Sequence, residues 1–130
     1  MKHFLSILVI ITMFSCSAQT QLQQNEETAK TFEDADRELN KVYQQILTDY
    51  KADKVFTDNL KASQRIWIQF RDSEMKMKFP DRPAGHYGSI QPMCWSDYKA
   101  KLTTERTEKL KIWLEGTEEG DACSGSVKTK

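Results

Sequence analysis

The chain has few backbone breakers. Its 130 residues hold three prolines and five glycines, and none of these falls before Pro80. Nothing interrupts the backbone until that point, and no alternating apolar–polar run suggests a strand, so an all-β fold is excluded and long helices are favoured. Net charge is lacking too. Lys+Arg and Asp+Glu both number 19, giving a formal charge of +0. No long-range field is available to gather nucleic acid or to hold an anionic membrane surface. Histidine is scarce, with His3 and His86 alone. No Ser/His/Asp constellation, phosphate loop or zinc spacing is visible. The sequence therefore argues against an enzyme and calls for no cofactor and no metal.

Long apolar runs are confined to one place. FLSILVIITMF (4–14) follows Lys2 and His3 and precedes the small residues SCSA (15–18). A basic start, a short apolar stretch and a small-residue zone form a secretory signal over 1–18, too short to span a bilayer comfortably. Two cleavages compete. FSC, ending at Cys16, is similar to a bacterial lipoprotein signal in which Cys16 carries the lipid, whereas cleavage after Ala18 would release a free protein. The expected location is outside the cytoplasm: exported to the periplasm, tethered in the cell envelope or secreted. Contact with a membrane is expected only through such an anchor.

Cysteine is almost absent as well. Beyond Cys16 there are only Cys94 and Cys123. In an oxidising compartment they are candidates for a disulfide worth about 3 kcal/mol in the chain-entropy treatment. Two unlinked thiols are the alternative, and spacing leaves both open.

The rest of the chain divides simply. TQLQQNEET is polar and without period, so residues 19–27 are expected to form a flexible spacer. A domain is expected over 28–116. Between residues 31 and 50, Phe32, Ala35, Leu39, Val42, Tyr43, Ile46, Leu47 and Tyr50 recur at steps of mostly three and four, the signature of an amphipathic helix. A polar break at 51–54 leads to a second helix from Val55 to about Phe79. FPDRPAGHYGSIQP (79–92) contains all three prolines and must be a loop. A third helix is expected from Ser89 or Ile90 to Leu114, with Ser89 as its cap and Gly116 as its stop. Residues 117–130 read as a polar tail. The expected fold is all-α, a small antiparallel three-helix bundle.

Within the second helix, SQRIWIQFRDSE (63–74) sets polar groups among large apolar ones. Leu60, Gln64, Trp67 and Arg71 form one stripe, with Ile66 and Phe70 expected to flank it. On the third helix Tyr98, Leu102, Arg106, Leu110 and Trp113 form another, in which Arg106 is the polar interruption. Trp95, Tyr98 and Trp113 suit the core better than a partner face. A buried guanidinium needs carboxylate and amide partners. The expectation is a structural network in which Asp72 meets Arg106 across the two helices. Gln64 and Asn40 would satisfy the remaining donors of this network, to which Arg71 also belongs.

Four segments carry a resemblance: ADRELNKVYQQIL (35–47), LKASQRIWIQFRDSE (60–74), GSIQPM (88–93) and LTTERTEKLKIWL (102–114). In order and spacing they resemble the LprI-type lysozyme inhibitor family of small bacterial envelope proteins. The Q-x-x-W-x-x-x-R-D core is the most specific part. The resemblance implies an all-helical envelope domain whose partner is a lysozyme-like muramidase, bound and inhibited without catalysis. Family members commonly carry two cysteines at the positions of Met75 and Tyr98. Their joint absence implies that an apolar contact replaces a bridge here. The candidate for reaching a muramidase cleft, with its two catalytic carboxylates, is the 79–92 loop. It offers Arg82 and His86 as donors, Tyr87 as an aromatic anchor and Ser89 as a small polar contact. The alternative is an envelope interaction or accessory domain of the same fold with another protein partner.

Overall fold

A computed structural model describes residues 20–130 with their side chains; the expected signal over 1–18, Cys16 included, lies outside the described residues. Three α-helices make up the fold: α1 (Lys2–Asp49), α2 (Lys54–Lys78) and α3 (Gln91–Glu115). Among the described residues there is no strand beyond one isolated parallel bridge, between Thr117 and Thr129. The chain is an all-α bundle, as its periodicity predicted. No helix among the described residues is long and apolar enough to cross a membrane.

α1 packs along α3, and α2 approaches α3 less closely. The side chains explain the difference. The buried residues of α3 are Ala100, Thr103, Thr107 and Leu110, at steps of three, four and three. Ala100, Thr103 and Thr107 are small or compact, so the two backbones can draw near along that stretch. The threonine hydroxyls are satisfied within the helix, Thr103 donating to the Lys99 carbonyl and Thr107 to that of Thr103. This corrects the expected stripe. Tyr98, Arg106 and Trp113 lie on a second face of α3, where they meet Glu74, Gln64 and Phe56 of α2. Long side chains hold α2 away. The core cluster gathers Leu39, Val42, Ile46 and Tyr50 of the first helix and its end with Leu60 and Leu110.

The helix boundaries follow local chemistry. Asp53 caps α2 by accepting the Phe56 N–H at 2.9 Å. α3 starts later than expected. Its cap position is Ile90, with no side-chain hydrogen bond, so Ser89 is not the cap; Pro92 fits in the first turn, where its missing N–H costs nothing. Residues 20–27 also differ from the expected flexible spacer. They continue α1, supported by Gln21 donating to Asn25 and Gln23 to Glu27, each at a spacing of four.

The tail departs most from expectation. Residues 117–130 turn back on the bundle, and Val127 is buried. Thr117 N–H donates to the Lys128 carbonyl and Lys130 N–H to that of Thr117. The Trp113 indole donates to Ser126, and Lys128 Nζ to the carbonyl of Asp49. Gly116 makes this return feasible. Its φ is +76°, and a Cβ there would stand 2.8 Å from the Lys128 carbonyl oxygen, a backbone atom. Gly116→Ala is expected to lower stability by about 1–3 kcal/mol, since it adds left-handed strain to a backbone clash. Thermal unfolding monitored by far-UV circular dichroism would show it, and an unchanged Tm would refute this account of the turn.

Candidate interaction site

The loop between α2 and α3 is braced by contacts among its own residues. α2 ends when the Phe79 N–H donates to the Met75 carbonyl at 2.9 Å. The Phe79 ring then meets Tyr87 edge-on, with centroids 5.9 Å apart. The Tyr87 hydroxyl donates to the Pro80 carbonyl at 2.7 Å and so closes the loop across its base. Two turns follow in sequence, His86 N–H to Pro83 and Gly88 N–H to Gly85. Gly85 and Gly88 sit at φ +83° and +74°, conformations that favour glycine. The loop encloses a concavity of about 230 Å³ lined by residues 79–88 and Gln91.

Of the four residues singled out from the sequence, Arg82, His86 and Ser89 are exposed and Tyr87 is half-buried. Tyr87 is thus an internal brace as much as an anchor. His86 stands edge-on to it, centroids 4.8 Å apart. Among the described residues Arg82 enters no ion pair, so its guanidinium is unengaged at the surface.

The expected polar network divides into two. Gln64 and Arg71 are both buried, at 7% and 8% exposure. Arg71 donates through Nε to Asp72 at 3.2 Å and through Nη1 to Asp36 at 3.5 Å, and its guanidinium carbon lies 5.8 Å from the Phe32 ring centroid and 5.3 Å from that of Trp67. Asp36 also accepts from Asn40 at 3.1 Å. Arg106 lies in the second group, donating to Gln64 and to Ser63, each at 3.1 Å. Asp72 does not meet Arg106. The antiparallel register explains why: Gln64 pairs with Arg106 and Glu74 with Tyr98, so Asp72 sits roughly 12 Å further along α2, about two turns away. Near Asp72, Lys99 lies over the Phe32 and Trp95 rings. Desolvation and the neighbouring Arg71 lower the Lys99 pKa.

One further expectation is corrected. Ile66 and Phe70 do not flank the buried stripe. They stand on the outer face of α2, 66% and 53% exposed, because that helix is apolar on both sides. Of the two alternatives left open for Cys94 and Cys123, the structure has them unlinked. At the positions where the family resemblance implied a bridge, Met75 is buried and Tyr98 donates to Glu74 at 3.3 Å beneath the Lys78 ammonium.

The profile of the family described as Lysozyme inhibitor LprI matches residues 15–110. The chain belongs to this family. A relative in Rhizobium meliloti (strain 1021), described as uncharacterized protein R02472, is 34% identical over 113 residues, covering 78% of each chain. No solved structure matches. The LprI match ends at residue 110, so it spans all of α2, most of α3 and both arginine clusters, and leaves out the returning tail.

Sequence reasoning missed the tail because its anchors are scattered: Val127 is a lone apolar residue, and Tyr50 lies at the end of another helix. The one available signal is Gly116, which in the sequence alone marks only a helix stop. Among the described residues, no group of histidine, cysteine or carboxylate side chains could hold a metal ion.

Proposed function

We propose that this protein is an exported, non-enzymatic inhibitor of a lysozyme-like muramidase, and that it presents the 79–92 loop to the muramidase cleft. Membership of the LprI family supports the partner class. The observation that carries the loop assignment is the exposed, unpaired Arg82 guanidinium on a loop already braced by Tyr87 and Phe79. A muramidase cleft holds two carboxylates, and a guanidinium is the side chain best shaped to meet them. A pre-formed loop loses little conformational entropy on docking. In the same reading residues 1–18 direct export, with Cys16 as the lipid attachment point in a tethered form.

Inhibition should be measured with the purified protein titrated against several lysozyme classes. Arg82→Ala is expected to weaken inhibition by about 30-fold, the loss of one interface hot spot, with thermal stability unchanged. Tyr87→Phe should weaken it less, by removing only the hydroxyl that holds Pro80. Full inhibition by Arg82→Ala would overturn the loop assignment. A second reading, a different protein partner in the envelope, is favoured by the exposed Ile66, Phe70 and Met77 on the outer face of α2. Absence of inhibition across all lysozyme classes would select it.

A further inference from the structure

The groove between α2 and α3, remote from the loop, has the chemistry of a ligand site. Its volume is about 520 Å³, within the range of small-molecule pockets. Its walls are apolar along most of their length: Phe56 and Leu60 from α2, Leu110 and Trp113 from α3. One wall is different. Arg106 lines the groove, and its guanidinium is held only by neutral oxygens, those of Gln64 and Ser63. Among the described residues Arg106 enters no ion pair, and its Nη1 makes no hydrogen bond. The contrast with Arg71, which holds two carboxylates, is direct. The Arg106 guanidinium carbon also lies 5.9 Å from the Trp67 ring centroid, within cation–π reach. Among the described residues the only carboxylate lining the groove is that of Asp53, which is occupied in capping α2. It lies ten residues from Ser63, roughly 15 Å along the helix.

We infer that this groove binds a single-chain acyl carboxylate, with its head group on Arg106 and its chain along Leu60, Leu110, Phe56 and Trp113. The two ends of the groove differ in sign, so an anion is expected to enter in one orientation. A carboxylate head meets the free Nη1 donors and supplies the counter-charge that the fold leaves out. The apolar chain covers surface that the loose packing of α2 on α3 exposes.

Trp113 lines the groove, so its fluorescence can report occupancy. The full chain should be titrated with dodecanoate, and separately with dodecylamine, both below micellar concentration. Dodecanoate is expected to saturate at one per chain, and dodecylamine to bind about tenfold more weakly or worse, because it presents a cation to Arg106. Ser63→Asp places a carboxylate beside Arg106 at an exposed position. It should keep the fold and raise Tm, yet weaken dodecanoate binding by about tenfold or more. Asn59→Phe, also at an exposed position, fills the groove from the side and should abolish binding without touching the charge. Equal affinity for the acid and the amine would overturn the inference. So would dodecanoate binding that both variants retain, or no saturable binding at all.

Discussion

Replacing Arg71 with alanine should destabilise the protein by about 3 kcal/mol, whereas replacing either of its carboxylate partners should cost about 1 kcal/mol or less. The asymmetry follows from burial. The Arg71 side chain is only 10% exposed, while those of Asp36 and Asp72 are 43% and 52% exposed. Without the arginine both carboxylates regain water, but the side chain whose guanidinium lies near the Phe32 and Trp67 rings is gone and α2 loses one of its contacts with α1. With one aspartate removed, the guanidinium keeps the other. With both removed it is left charged, mostly buried and unpaired. The double variant Asp36→Ala/Asp72→Ala should therefore cost about 3 kcal/mol, well above the sum of the singles. Urea unfolding of the four proteins gives the cycle directly. Simple additivity would mean that Arg71 acts through its aromatic neighbours alone.

That result would also measure how far the sequence can be read. The amphipathic period of 31–50 predicted α1 correctly in this region, because Leu39, Val42 and Ile46 recur on one face and all three are buried. The burial of Gln64 and Arg71 was legible too, since each falls on the same stripe as Leu60. Which partner each arginine takes was not. Pairing depends on the antiparallel register of α2 and α3, and periodicity gives the face of a helix without its displacement along the axis. The same limit explains Ile66 and Phe70. A helix apolar on opposite faces has no unique inside until its neighbours are placed. In the loop, composition revealed the turn and its exposed donors. It could not show that the Tyr87 hydroxyl closes on Pro80, a contact across seven residues.

The largest single effect is expected at Tyr50, which joins the core to the tail. Its side chain belongs to the buried cluster, with its ring 4.6 Å from that of Phe56. Its hydroxyl donates to the Trp113 carbonyl at 3.0 Å and accepts the Lys128 N–H at 3.1 Å. One oxygen thus links the end of α1, the last turn of α3 and the tail. Tyr50→Ala should cost about 3–5 kcal/mol, as for other large aromatic truncations in a core. Tyr50→Phe keeps the ring and removes only the oxygen, leaving the Lys128 N–H and the Trp113 carbonyl without their partner, a loss of about 1–3 kcal/mol. The two variants should also differ in where they loosen the structure. Hydrogen exchange in Tyr50→Phe should speed at Lys128 and Lys130, while Ile46 and Leu110 keep their protection, because the core packing survives. If Lys128 stays protected in Tyr50→Phe, the bridge to Thr117 and the burial of Val127 hold the tail unaided. The hydroxyl would then serve chiefly to complete the end of α3.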